Sequence, residues 1–340
     1  MSGGVGEKKI FDGFKMQADY NRLRELKLQS ETQTRLAVED YVAKLTAEYY
    51  NFVQQRARMR NLNHAVQLSR ERLRIVHARY AIGDNSRLDL LQARVDFNAD
   101  SAESVKQNEM LATSRIRLQE LMAERNIDNA FVVADTLVDV NRPLNFDKLW
   151  ELTMRSNASL LIAAQDKKIA ESDLRSIRSR DYPYLSLNAG YGITQNKYET
   201  GATEKRKQWG ADFGVTMGFN LFDGNRRREI KNARIAIENA KLQQDDMRQA
   251  LNADLSNLWQ AYQNNIEMLK LERENLIAAV ENHEIASERY MLGNLSGIEM
   301  REAQKSLLDA EERILSAEYN TKICEISLLQ LSGKITKYLE

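Results

Sequence analysis

The chain has 340 residues, with 49 Lys+Arg against 49 Asp+Glu, 15 glycines, 2 prolines and 1 cysteine. Zero formal charge argues against a nucleic-acid binder, and the lone Cys324 excludes an intramolecular disulfide. Ala, Leu, Glu, Arg, Lys, Gln and Asn dominate, the usage of long helices and coiled coils. No apolar run of about 18 residues offers a transmembrane helix. His64, His77 and His283 lack metal-ligand spacing, so no metal and no cofactor is expected.

In chain order, residues 1–9 (MSGGVGEKK) lack the apolar core of a signal peptide, so either the protein is cytosolic or its natural start is missing. Residues 10–125 read as one long helix, a turn and a return helix, with Asp12 placed to cap the first. Residues 126–157 form a connecting segment, 158–182 form a helix, and 183–222 change to a period of two. Residues 223–335 repeat the long helix, turn and return helix, with Asp223 as the cap, and 336–340 are a tail. Between Gly224 and Met291 there is no proline and no further glycine, so the second long helix would measure about 100 Å.

The halves are a duplication. The turn 78-ARYAIGDNSRLDLLQA-93 returns as 288-ERYMLGNLSGIEMREA-303, with Arg79, Tyr80, Gly83, Ser86 and Ala93 each matched 210 residues later. The offset aligns about 85 residues without a gap, from Val38–Ala123 onto Arg248–Gly333. Tyr49 and Phe52 then face Trp259 and Tyr262, and Leu118 faces Leu328. Within each turn Gly83 and Gly293 suit the positive φ of a helix C-cap, while Ser86 and Ser296 suit the next N-cap.

The second return helix carries a heptad seam: Met300, Ala303, Leu307, Ala310, Ile314, Ala317, Thr321, Cys324, Leu328, Leu331 and Ile335. On that seam Cys324 is a small core residue. The first copy interrupts it with Asp100, Ser104 and Gln107, which either specify register or face water inside an assembly.

Between the halves, Leu185, Leu187, Ala189, Tyr191 and Ile193 alternate with Ser186, Asn188, Gly190, Gly192 and Thr194. Trp209, Ala211, Phe213, Val215, Met217, Phe219 and Leu221 alternate with Gly210, Asp212, Gly214, Thr216, Gly218 and Asn220. The segment Gln195–Gln208 is a polar loop. A soluble half-buried hairpin also alternates, but strands of about 10 residues, apolar on one face and small and wettable on the other, are what a transmembrane β-barrel requires. One hairpin cannot close a barrel, so several copies would have to contribute strands.

These marks together resemble the TolC-like outer-membrane efflux proteins. The residues that carry the resemblance are the doubled Tyr-x-x-Gly-x-x-Ser turn, 221-LFDGNRRREIKNAR-234 with its echo 10-IFDG-13, and 183-PYLSLNAGYGI-193 after a helix that starts near Asn145. The resemblance implies a mainly α fold: long coiled-coil hairpins in two structural repeats forming a periplasmic α-barrel, plus a β-hairpin contributing to a trimeric transmembrane β-barrel. Residues 126–157 and the tail would form an equatorial belt. Residues 1–9 would be a truncated or artificial N-terminus, since relatives carry a helix and another strand pair before this point, leaving at most the end of another strand.

The resemblance also assigns residues. The tips would close the pore at rest, Asp89 of the first turn pairing with Tyr290 of the second. Leu295 stands where an arginine strengthens that lock, and Glu302, with Glu299 one turn away, would form an acidic ring in the constriction. Tyr80, Gly83, Ser86, Gly293 and Ser296 would receive a periplasmic adaptor. Arg226–Arg228 would lie at the membrane edge or between protomers. The implied function is a passive exit duct for an inner-membrane pump in tripartite efflux or type I secretion, not an enzyme. The implied partners are a homotrimer, the periplasmic adaptor (membrane-fusion) protein, the pump and outer-membrane lipid. The competing expectation is a soluble coiled-coil scaffold, or a truncated remnant that does not conduct.

Overall fold

In a computed structural model, residues 2–126, 133, 135, 138–140, 144–197 and 205–338 are described. The described chain is mostly helical, with one three-stranded sheet. The element order is β1 (Ser2–Phe11), α1 (Lys15–Ala81), α2 (Arg87–Leu121), α3 (Phe146–Ser156), α4 (Ala158–Arg178), β2 (Tyr184–Lys197), β3 (Lys205–Gly218), α5 (Gly224–Met291) and α6 (Gly297–Leu331). Two compact units divide it: one is Met1–Leu36 with Ala158–Ala250, the other Ala37–Asn157 with Leu251–Glu340. Among the described residues no helix is long and apolar enough to cross a membrane.

In the first unit, α4 is fastened to the start of α1 by polar rungs. Ser176 donates to Asp19, Arg22 pairs with Asp173, Lys168 with Glu25, and Gln165 donates to Thr32. Such exposed pairs set register more than they stabilise.

The sheet has the order β1-β2-β3, antiparallel throughout. Pairing places Leu185, Leu187, Ala189, Tyr191 and Ile193 opposite Met217, Val215, Phe213, Ala211 and Trp209, so one apolar face covers β2 and β3. Leu187, Tyr191, Trp209, Phe213, Val215 and Met217 on that face are all exposed in the single chain. On the other face Asn188 donates to Thr216, and the Tyr184 ring occupies the space beside Gly218 that a Cβ would take.

Three sequence expectations change here. Residues 1–9, expected to hold at most the end of another strand, are paired from Ser2 onward: Ser2–Phe11 run beside β2 as a third strand, irregular between Lys9 and Phe11. Phe11 faces Leu185, but Lys8, Gly6 and Gly4 stand opposite Leu187, Ala189 and Tyr191, so beyond that first pair the apolar face stops at β2. The expected loop Gln195–Gln208 is shorter, because β2 runs to Lys197 and β3 starts at Lys205; ladder bonds are made by backbone groups and continue past the apolar alternation. Finally, β3 stops at Gly218, opposite Tyr184; Pro183 has no N–H to extend the ladder towards Phe219 and Leu221.

The two LFDG-like marks also differ. Asp223 accepts from the Asn225 and Arg226 N–H groups directly before α5. Asp12 instead accepts from Met16 N–H, across Gly13 and Phe14, both at positive φ (67° and 69°). Within the chain Arg226 donates to the Arg180 carbonyl at 3.0 Å and pairs with Asp181 at 2.9 Å.

The second unit shows the duplication as packing. Leu45, Tyr49, Phe52 and Leu118 form one cluster with Val133 and Val138; their counterparts Leu255, Trp259, Tyr262 and Leu328 form another with Leu149 and Phe146. Each copy thus presents the same aromatic face, covered by a different part of the connecting segment. The expected helix from Asn145 to Tyr182 is broken at Asn157, which has extended φ/ψ and donates its side-chain N–H to the Leu331 carbonyl. Residues 127–132, 134, 136–137 and 141–143 of the expected belt, and 339–340 of the tail, lie outside the described residues.

Seam positions Met300, Ala303, Leu307, Ala310, Ala317, Thr321, Leu328 and Ile335 are buried. Cys324 is half-buried and accepts from Asn265, its thiol pushed up by burial. The polar interruptions in the first copy are satisfied inside the chain. Gln107 donates to the Gln55 carbonyl and side chain, Ser104 donates to Asn63, and Asp100 takes two 2.8 Å bonds from Arg301.

Candidate gate and docking tips

Both turns fold alike, and the sequence explains why. Gly83 (φ 84°) donates its N–H to the Tyr80 carbonyl while Asp84 N–H reaches the Arg79 carbonyl. Gly293 (φ 77°) and Asn294 do the same to Tyr290 and Arg289. This is the double bond pattern that terminates a helix with a left-handed residue. The next helix then starts with a reciprocal capping box: Ser86 with Asp89, and Ser296 with Glu299. The Glu299 carboxyl lies below its ordinary range because the Ser296 N–H and hydroxyl both donate to it.

The capping box alters the expected lock. Asp89 Oδ2 accepts from the Ser86 N–H at 3.0 Å and hydroxyl at 2.7 Å, so it is committed within its own turn. Tyr290 is 4% exposed, and its phenol oxygen is buried without a hydrogen-bond partner among the described residues. Among the described residues Tyr290 thus makes no hydrogen bond to Asp89. The two side chains line one cavity of about 340 Å³, together with Arg72, Arg79, Asp96 and Leu295. Burial pushes the Tyr290 phenol up, Arg79 and Arg72 pull it down, and Asp89 pushes it up further.

Arg79 joins the turns instead. Its guanidinium donates to the Tyr290 and Met291 carbonyls, each at 3.1 Å, and stands 5.2 Å over the Tyr290 ring. A cation on the last carbonyls of α5 also meets the negative end of the helix dipole. Behind it Val76, Ala93, Ala286, Tyr290, Met300 and Ala303 form a buried cluster, with Leu295 packed against it. Leu295 thus contributes packing.

Below the tips lies a buried ion network. Arg72 (5% exposed) pairs with Asp96 (9% exposed), which also accepts from Gln92 at 3.0 Å and lies 4.0 Å from Arg301. Sequence reading missed it, since Arg72, Asp96 and Arg301 share no simple spacing. Arg79 did carry a signal, its recurrence as Arg289, which helix capping alone did not explain.

The other assigned residues are at the surface. Gly83, Ser86, Asp89, Gly293, Ser296, Glu299 and Glu302 are exposed, as is Tyr80. Ile82 and Leu88 of the first turn, and their counterparts Leu292 and Ile298, are exposed apolar neighbours.

The comparisons agree with this architecture. The outer membrane efflux protein family matches residues 149–334. The chain belongs to that family, and with it to the outer membrane. It is 22% identical to the outer membrane protein TolC of Vibrio cholerae over 266 residues, covering 76% of this chain and 60% of the relative. It is 21% identical to a probable outer membrane lipoprotein, SilC, of Salmonella typhimurium, over 79% of this chain and 59% of the relative. The chain thus spans about 60% of the length of these curated relatives. Among solved structures it resembles the outer membrane protein VceC of Vibrio cholerae (TM-score 0.81, 15% identity, 97% of this chain and 78% of that one). The CusC structure gives a TM-score of 0.82 at 18% identity, covering 97% and 77%. At such identities the structures speak for the fold.

Proposed function

We propose that the chain is a subunit of a trimeric outer-membrane exit duct, closed at rest by its helical tips. The duct would pass substrates from an inner-membrane pump through a periplasmic adaptor. The observation that carries this reading is the conjunction of two features. One is a β-sheet whose exposed face is an unbroken apolar band across β2 and β3. The other is a pair of quasi-identical tips held together by Arg79.

The apolar band needs lipid, because an exposed patch of this kind is unfavourable in water. A three-stranded sheet with free edges needs further strands, which other copies of the chain would supply. The adaptor would engage the tips around Gly83, Ser86, Gly293 and Ser296, with Ile82, Leu88, Leu292 and Ile298 as the apolar contacts. Glu302 and Glu299 would line the constriction, where an acidic ring favours cations. Transport is passive in this reading and needs no catalytic group, since the pump supplies the energy.

Expressed with its full native sequence in a Gram-negative host, the protein should fractionate with the outer membrane. Native mass spectrometry of the detergent extract should give three times the chain mass. A soluble monomer would overturn the duct and favour the competing reading, a soluble coiled-coil scaffold.

A further inference from the structure

Among the described residues the tip clasp between the two repeats is made in one sense. In that contact the first repeat supplies Arg79 and Ile75, and the second supplies Tyr290. The duplication writes the same three residues again in the opposite sense. Arg79 returns as Arg289, Ile75 as Ile285, and Tyr290 has its counterpart in Tyr80. These second versions are unused. Tyr290 is 4% exposed but Tyr80 is 41%, and Ile75 packs on the tip cluster whereas Ile285 is 47% exposed. Neither the Arg289 guanidinium nor the Tyr80 phenol has a side-chain partner among the described residues.

We propose that Arg289 of one copy clasps Tyr80 of the next, closing between chains the contact that Arg79 and Tyr290 close within one. The proposal rests on the reading of the chain as a ring-forming subunit. In a closed ring built of alternating repeats, every second repeat is followed by a first repeat of the neighbouring copy. The occupant of the Arg289/Ile285 face is therefore a second copy of this chain.

The chemistry is complementary on both sides. Arg289 is a cation, and its target would be the Tyr80 and Ala81 carbonyls at the C-terminal end of α1, which carries the negative end of the helix dipole. The Tyr80 ring supplies the face over which the guanidinium stacks. Burying Ile285 against the same neighbour removes apolar surface from water. Asn85 and Leu295, equivalent by the same offset, are not alike, so the two contacts share the clasp but not the packing around it.

The test uses the full chain with Cys324→Ser, which leaves no native thiol. A Tyr80→Cys/Arg289→Cys variant is treated with a short bis-maleimide in detergent. Both sites are exposed, so the substitutions leave the core intact. The expected result is a shift of most of the protein from chain mass to three times that mass on a denaturing gel, while each single variant stays at chain mass. An Arg79→Cys/Tyr290→Cys variant should consume both thiols and stay at chain mass, which calibrates the reach of the reagent. Two results with trimers by native mass would overturn the clasp and leave the duct standing: no covalent multimer, or both thiols consumed at chain mass. A monomer by native mass would overturn the ring and the clasp together.

Discussion

Asp96→Ala should destabilise the tip-bearing unit by about 3–5 kcal/mol, the range for removing one partner of a buried ion pair. Asp96 is the acceptor that neutralises Arg72, and both are almost wholly buried. Its loss leaves a guanidinium that already has a buried, unpartnered Nε with no counter-charge. Arg301 is less affected, because Asp100 holds it with two bonds. Arg72→Met/Asp96→Leu removes both charges and should recover most of the stability, since apolar side chains replace buried ion pairs at little net cost. Urea unfolding followed by far-ultraviolet circular dichroism measures both variants. A loss below about 1 kcal/mol for Asp96→Ala would place the pair with exposed salt bridges and contradict the buried network.

Gly13→Ala should be the most damaging glycine substitution in the sheet-bearing unit. At φ 67° the residue occupies a left-handed conformation, which costs an alanine about 1 kcal/mol or more. A Cβ there would also stand 2.1 Å from the Ser179 carbonyl oxygen and 2.9 Å from Tyr182 Cβ. Backbone on one side must move, and the β1–α1 junction moves with it. Gly83→Ala is the control: its φ is 84°, but nothing lies within 4 Å of the added carbon, so only the conformational cost remains. Thermal unfolding should show a clearly larger drop in melting temperature for Gly13→Ala. Equal drops would contradict the steric contact at Ser179.

Much of this architecture was legible in the sequence because the duplication is. Once Tyr80, Gly83 and Ser86 were matched to Tyr290, Gly293 and Ser296, helices, turns and caps followed from local chemistry. The period-two stretch likewise announced β2 and β3. Residues 1–9 did not announce β1, because glycines and charges carry no apolar alternation and the strand is held by backbone pairing alone. The tip contacts were less legible. Asp89 was expected to serve Tyr290, yet a closer claimant, Ser86, takes its carboxylate through the capping box. Which side chain reaches across to the other repeat depends on helix rotation, which spacing within one repeat does not reveal. Arg79 was visible only as a repetition without a purpose.

The most direct test of a duct closed at the tips is planar-bilayer conductance of the detergent-purified trimer. Wild-type protein should conduct little. Arg79→Ala, which removes the hold on the Tyr290 and Met291 carbonyls, should open the channel for longer and raise the mean current several-fold. Tyr290→Phe should leave it unchanged, because the phenol oxygen has no hydrogen bond to lose. No conductance from trimers of either Arg79→Ala or wild type, or a Tyr290→Phe channel that opens while Arg79→Ala stays shut, would contradict the account.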